Sequence, residues 1–217
     1  MELTTGVILA GGNSRRMGQN KALMHLSDEV LIARVLRQMR TITEDLLLIT
    51  NTPKVYTHLG LPMHADLIPD TGALSGIYTG LSYATNNAVV CVACDMPLLQ
   101  PNLLTYLVSI LGEYDAVVPC VRDVDATEPI FQTLSAVYAK GCTQIISQML
   151  DEGELRVHAL YDRISVRIVE PDEWQEFDPQ GLSFFNINTP EDFEKANQIL
   201  TSGKVGGVYD VNCRRST

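Results

Sequence analysis

The chain has 217 residues, a formal net charge of −10 and a hydrophobic content of 46%. That content can fill a buried core, and no long linker or internal repeat divides the chain, so we expect a single domain over residues 1–200. The acidic balance argues against a nucleic-acid partner, and the lack of an apolar stretch of about 18 residues argues against a membrane span. The N-terminus lacks the pattern of a secretory signal, so we expect a cytoplasmic protein.

Apolar strands and amphipathic helices alternate along the chain. The patterns predict strands at 5–10, 46–50, 64–68, 88–94, 115–121, 130–138 and 165–169, and helices at 30–40, 54–59, 74–84, 101–111 and 143–150. A last helix follows Thr189, a good N-cap before Pro190, and Asp192 can complete a capping box with it. The alternation indicates an α/β fold with a largely parallel sheet.

The first predicted strand ends in a turn rich in glycines and cations, which runs Leu9-Ala10-Gly11-Gly12-Asn13-Ser14-Arg15-Arg16-Met17-Gly18-Gln19-Asn20-Lys21. Adjacent glycines let the backbone approach a ligand, and guanidinium and ammonium groups bind phosphates. The spacing matches neither a P-loop nor a dinucleotide-binding fingerprint. Residues 1–40 carry a net charge of +3 and the remainder −13, which suits a small anionic ligand. We interpret the turn as a cradle for a nucleoside triphosphate; a strand-to-helix turn with solvated basic residues is the alternative.

Polar residues also follow two other predicted strands, at the edge of a parallel sheet where ligands bind. Asn51 follows the second strand, and Asp70 lies in a loop whose Gly72 and Gly76 flank the start of a helix. Asp95 ends a wholly apolar strand, where an unpaired carboxylate is costly. It suits Mg²⁺, which takes one or two carboxylates and completes its shell with water and phosphates. The alternatives are turn-forming roles for Asn51 and Asp70, and helix capping for Asp95.

The chain has five cysteines, of which Cys91 and Cys94 form a C-x-x-C. Both lie in an apolar strand, where side chains three residues apart point to opposite faces of the sheet. We therefore interpret them as buried structural thiols rather than zinc ligands.

The segments LAGGNSRRMGQNKAL, DTGALSGI, ACDMP and FFNINTPED, in that order, resemble the molybdenum cofactor guanylyltransferases. This family shares a nucleotidyltransferase fold with cytidylyl and uridylyl transferases, and the resemblance covers roughly residues 4–200. It implies a three-layer α/β/α, Rossmann-like fold with a mostly parallel, mixed sheet. It also implies a nucleotide-binding half in about 1–100 and an acceptor-binding half in about 101–200. The segment 201–217 has no counterpart in the family, and we expect it to be poorly ordered.

The resemblance implies GTP as the donor, Mg²⁺ as the cofactor and molybdopterin as the acceptor. Its terminal phosphate would attack the α-phosphorus of GTP in line and release pyrophosphate, so no protein nucleophile is needed. The implied roles are nucleotide lining by Leu9, Ala10, Gly11 and Gly12; triphosphate binding by Arg16 and Lys21; base or ribose contact by Asn51 and Asp70, with Gly72 and Gly76 close by; Mg²⁺ binding by Asp95; and acceptor binding by Arg156, Asn186 and Asn188.

The sequence departs from the family pattern in two internal places. Ala73 stands where Gly-Pro-Leu is usual, and the segments 128–131 and 136–138 are further apart than expected. Two alternative functions stay open. One is a related transferase that uses CTP or another phosphorylated acceptor. The other is a non-catalytic nucleotide-binding module that works with other cofactor-assembly proteins.

Overall fold

The computed structural model describes residues 3–11, 20–122 and 128–202. The strands are β1 Thr4–Leu9, β2 His25–Leu26, β3 Glu29–Val30, β4 Leu46–Ile49, β5 Met63–His64, β6 Ala88–Ala93, β7 Ala116–Val121, β8 Ile130–Phe131, β9 Ser135–Ala139 and β10 Val166–Val169. The helices are α1 Leu31–Met39, α2 Gly72–Tyr83, α3 Pro101–Ser109, α4 Cys142–Asp151, α5 Pro171–Trp174 and α6 Pro190–Ser202. Within these ranges, no helix is both long and apolar enough to cross a membrane.

The main sheet has the strand order β10-β7-β9-β6-β1-β4-β5, with β8 paired to β7. β9 runs antiparallel to β6 and β7, whereas β1 pairs in parallel with both β4 and β6. One core packs α1 and α3 against one face of the sheet, and a second packs α2 and α4 against the other. The predicted three-layer α/β/α architecture with a mostly parallel, mixed sheet is therefore confirmed. Strands from both sides of residue 100 pair within this one sheet.

Three predicted segments differ from the structure. Of the segment predicted as a strand at 64–68, only His64 pairs with the sheet, together with Met63 just before it. The pairing does not continue because the Leu67 amide donates to Thr79 Oγ1 of α2 instead. The segment 130–138 is split into β8 and β9 by a turn in which the Ser135 amide donates to the Gln132 carbonyl. The segment 54–59 forms two short 3₁₀ turns rather than a helix. Thr201 and Ser202 belong to α6, and the remainder of the expected tail, from 203, lies outside the described residues.

The start of α6 has the predicted capping box. Thr189 Oγ1 accepts from the Asp192 amide at 3.2 Å, and Asp192 Oδ2 accepts from the Thr189 amide at 2.9 Å. Each side chain thus satisfies a backbone donor that the first helical turn leaves unpaired.

Two glycines let α2 lie close against β1. A Cβ at Gly80 would stand 2.6 Å from Val7 Cγ1, and one at Gly76 would stand 3.2 Å from Leu9 Cδ1. This packing fixes the height of α2 over the end of β1, where the glycine turn begins. Cys91 packs on this face of the sheet, and Cys94 packs against the other core, as the sequence predicted.

Candidate active site

Lys21 and Asp95 meet at the carboxyl edge of the sheet, together with the segment that precedes α6. Lys21 Nζ donates to the carbonyls of Ile187, at 3.3 Å, and Asn188, at 3.1 Å. The Ile187 amide in turn donates to the Asp95 carbonyl at 2.9 Å. Residues that are 74 to 167 positions apart in sequence thus share one hydrogen-bonded cluster.

A short 3₁₀ turn at Lys21–Leu23 fixes the position of Lys21. Asn20 caps this turn by accepting from the Ala22 amide at 3.1 Å, and its Nδ2 donates to the Tyr56 hydroxyl at 3.0 Å. Tyr56 is buried, and burial raises the pKa of its phenol. Sequence reasoning missed this support because no local pattern links Asn20 to a tyrosine 36 residues away.

The environment of Asp95 makes its negative charge costly unless a cation is present. Burial raises the pKa of the Asp95 carboxyl, and the nearby Lys21 ammonium lowers it in part. In the part of the chain that the structure describes, no group of three or more His, Cys, Asp and Glu could hold a metal by itself. A single desolvated carboxylate still fits Mg²⁺, provided that substrate phosphates and water supply the remaining ligands.

Arg34 of α1 supports the loop that follows Asp95. Its Nε donates to the Pro97 carbonyl at 2.9 Å, and its side chain is only 16% exposed. Burial lowers the pKa of Arg34, whereas the charge of Glu29 raises it. Sequence reasoning missed this residue, because a single arginine on an amphipathic helix is normally solvated.

The backbone that leads from β1 to the cradle is firmly held. The Leu9 carbonyl accepts from the Cys94 amide at 3.0 Å, and the Ala10 amide donates to the Ile49 carbonyl at 2.8 Å. Leu9 and Ala10 are buried, whereas Gly11 is exposed with open space where a Cβ would stand. Within the described parts of the chain, Gly11 is therefore accessible to a ligand. The other predicted cradle residues, Gly12 and Arg16, lie outside the described residues.

The predicted base or ribose residues lie in an exposed loop. Asp70 and Gly72 have φ angles of 61° and 72°, in the left-handed region that favours short polar residues and glycine. Asn51 stabilises the turn at Asp66: its Nδ2 donates to Asp66 Oδ2 at 2.8 Å, and its Oδ1 accepts from the Asp66 amide at 3.0 Å. Gly76 is buried against Leu9, and its surroundings are those of a glycine that lets a helix pack closely on a strand.

The predicted acceptor residues fall into two groups. Asn186 and Asn188 flank Ile187, so they lie beside the Lys21–Asp95 cluster, and the Asn188 side chain is exposed. Arg156 is 68% exposed and forms a bidentate pair with Glu154, with N–O distances of 2.9 and 2.6 Å. This pairing lowers the pKa of Glu154 to about 2. Val157, the residue after Arg156, packs into the α2–α4 core on the other face of the sheet from Ile187.

Comparison with known proteins agrees with this fold. Residues 6–166 match the family model of the MobA-like NTP transferase domain. The chain is 36% identical over 205 residues to a probable molybdenum cofactor guanylyltransferase of Pelotomaculum thermopropionicum, a match that covers 94% of this chain and 97% of that protein. It is 33% identical over 207 residues to the molybdenum cofactor guanylyltransferase of Desulfosudis oleivorans, covering 94% and 100%. The crystal structure of molybdopterin-guanine dinucleotide biosynthesis protein A from Archaeoglobus fulgidus superposes with a TM-score of 0.76 at 25% identity, covering 91% of this chain and 99% of that one.

The mostly parallel sheet, with Lys21 and Asp95 together at its carboxyl edge, and the similarity to these relatives define the class of protein as a nucleotidyltransferase. The family match spans well over half of the chain, and two relatives exceed 30% identity over nearly its whole length. The chain belongs to the MobA-like NTP transferase family.

Proposed function

We propose that this protein transfers GMP from GTP to the terminal phosphate of molybdopterin, which yields the guanine dinucleotide cofactor and pyrophosphate. The observation that carries the proposal is the hydrogen-bonded cluster of Lys21, Asp95 and the segment around Ile187. This cluster joins the predicted triphosphate side of the site to the predicted acceptor side. Guanine as the donor base and the molybdenum cofactor as the acceptor are taken from the names of the relatives.

The chemistry asks the protein to position two anions rather than to supply a nucleophile. A phosphate oxygen of the acceptor forms a bond to the α-phosphorus of GTP, and the bond from that phosphorus to the bridging oxygen of the leaving pyrophosphate breaks. Holding both groups in line accounts for much of the acceleration. Charge stabilisation on the phosphates accounts for most of the rest.

Lys21 is suited to the triphosphate side of this reaction. An ammonium group has three donors, and Lys21 uses two of them on the carbonyls of Ile187 and Asn188. Among the described residues, nothing accepts a hydrogen bond from the third donor, which leaves it for a phosphate oxygen. Lys21 would therefore offset charge on the phosphates while it stays attached to the acceptor segment.

Asp95 is suited to holding Mg²⁺ on the phosphates. When bound there, Mg²⁺ would neutralise negative charge on the triphosphate. The raised pKa of Asp95 supports this role, because a desolvated carboxylate gains more from a cation than a solvated one does. The neighbouring Asn186 and Asn188 would bind polar groups of the acceptor. The exposed loop at Asp70 and Gly72 would offer backbone groups to the base or ribose.

The test measures pyrophosphate release by the purified protein with Mg²⁺, the molybdenum-loaded acceptor and either GTP or CTP. We expect release with GTP and much less with CTP. Lys21→Ala and Asp95→Asn should each lower kcat/KM by about 100-fold, which corresponds to about 2.7 kcal/mol of transition-state stabilisation.

The control is Arg163→Ala, which removes an exposed ion pair with Glu152 at 2.8 Å and should leave activity close to that of the wild type. A preference for CTP would favour the related cytidylyl transfer. No pyrophosphate release with either nucleotide would favour a non-catalytic module.

A further inference from the structure

Asp192 makes more hydrogen bonds than a helix cap requires. Its carboxylate is buried, with a relative exposure of 1%, and its Oδ2 accepts from the amides of Asn188, at 3.0 Å, and Thr189, at 2.9 Å. A capping box needs only the bond to the N-cap amide, which is that of Thr189. The bond to Asn188 lies outside the helix and reaches the segment that contacts Lys21.

The peptide groups that Asp192 holds are the same ones that hold Lys21. In the peptide between Ile187 and Asn188, the amide donates to Asp192 and the carbonyl accepts from Lys21 Nζ. In the next peptide, the Thr189 amide donates to Asp192 and the Asn188 carbonyl accepts from Lys21 Nζ. The N–H and C=O of a trans peptide point in opposite directions. Two consecutive peptide groups therefore stand between the Asp192 carboxylate and the Lys21 ammonium.

This arrangement couples the two charges through the backbone. A carboxylate at the amide end polarises a peptide group and makes its carbonyl a better acceptor for a cation. The same bonds also fix the orientation of both carbonyls, so that Lys21 has a defined position next to Asp95.

We propose that Asp192 is a positioning residue for the nucleotide site and acts through Lys21. The inference rests on the proposed function, in which Lys21 binds the triphosphate. Asp192 itself touches no substrate in this account. Its loss would leave Lys21 attached to a less ordered segment, and the ordering of the ammonium group would then have to occur during nucleotide binding.

The chain offers a control for helix capping. Thr189→Ala removes the hydroxyl that accepts from the Asp192 amide and donates to Asp192 Oδ2, but it leaves the amides of Asn188 and Thr189 bonded to the carboxylate. Asp192→Ala removes the capping and the support of both peptide groups. Asp192→Asn keeps an oxygen acceptor in the same place but removes the charge, so it should show an intermediate effect.

The experiment measures GTP affinity by isothermal titration calorimetry and forms a double-mutant cycle with Lys21→Ala. We expect Asp192→Ala to weaken GTP binding about tenfold when Lys21 is present and less than about twofold in the Lys21→Ala background. Thr189→Ala should weaken binding by less than about twofold, although it lowers the melting temperature. If Asp192→Ala does not fold, Asp192→Asn takes its place in the cycle, with a smaller effect in the same direction.

Equal weakening of GTP binding in both backgrounds would overturn the inference, because Asp192 would then act independently of Lys21. Equal weakening by Thr189→Ala would also overturn it, since capping alone would explain the effect. GTP binding that does not depend on Asp192 would contradict this inference alone. A wild-type protein that bound no nucleoside triphosphate would contradict the proposed function as well.

Discussion

Replacing Gly80 with alanine tests how tightly α2 must lie against β1. The new Cβ would stand 2.6 Å from Val7 Cγ1 and 3.0 Å from Val7 Cγ2, closer than carbon atoms pack. Val7 is completely buried and β-branched, so neither atom can turn away easily. Alanine gains about 1 kcal/mol over glycine in a helix interior, whereas overpacking costs about 1–3 kcal/mol. Because the approach is so short, we expect Gly80→Ala to lower the free energy of unfolding by about 1–2 kcal/mol.

Urea unfolding followed by circular dichroism would measure this loss, and the melting temperature should fall by roughly 2–8 °C. Gly76→Ala is the graded control, since its Cβ would stand 3.2 Å from the two methyl ends of Leu9, which can yield. That variant should stay within about 1 kcal/mol of the wild type. In a Val7→Ala background, Gly80→Ala should lower the free energy of unfolding by less, or not at all. A Gly80→Ala protein at least as stable as the wild type would show that α2 has room for a larger side chain against β1.

Two further predictions concern the surroundings of Asp95. Arg34→Ala leaves the Pro97 carbonyl without its donor and should cost about 1–3 kcal/mol in urea unfolding and weaken nucleotide binding. Arg37→Ala on the same helix loses only an exposed pair with Glu29 and should cost less than about 1 kcal/mol; equal costs would contradict the role of Arg34. Burial raises the pKa of Asp95 in the folded protein. The protonated carboxyl therefore contributes to the free energy of unfolding at low pH, and this contribution is lost as the pH rises through the raised pKa. Asp95→Asn should therefore gain stability relative to the wild type between pH 4 and pH 7, and an unchanged difference in unfolding free energy across that range would count against the burial argument.

The parallel core was predictable because its strands are short apolar runs bounded by turn residues. Ala88–Ala93 is entirely buried, and such a strand can be recognised without knowing its neighbours. The segment 64–68 was not predictable in the same way, because Thr79 of α2 takes the amide of Leu67 that a strand would use. Tertiary contacts of this kind override a local strand preference.

The positions of two candidate site residues were predictable from the strand ends that precede them. Lys21 and Asp95 were both expected at the carboxyl edge of the sheet, and the structure brings them together with the segment around Asn188. The residues that hold this site were not foreseen. Arg34 acts on a carbonyl 63 residues away and Asn20 on a tyrosine 36 residues away, and neither contact leaves a periodic signal.

Two residues illustrate how local sequence both helps and misleads. Asp192 was recognised as a capping residue, but its bond to Asn188 depends on how the chain enters the helix. Arg156 was expected at an acceptor phosphate, and this role stays a prediction. Glu154, two residues earlier, already binds its guanidinium at 2.6 Å. An acceptor phosphate would have to compete with that carboxylate.

The proposed guanylyl transfer can be tested by following the α-phosphate of GTP. The purified protein would be incubated with Mg²⁺, the molybdenum-loaded acceptor and GTP that carries radioactive phosphorus at the α position, and the products would be separated by chromatography. We expect the label to move into a guanine dinucleotide form of the acceptor while unlabelled pyrophosphate is released. Label that stays in GTP, or that is released as free GMP without a dinucleotide product, would contradict it.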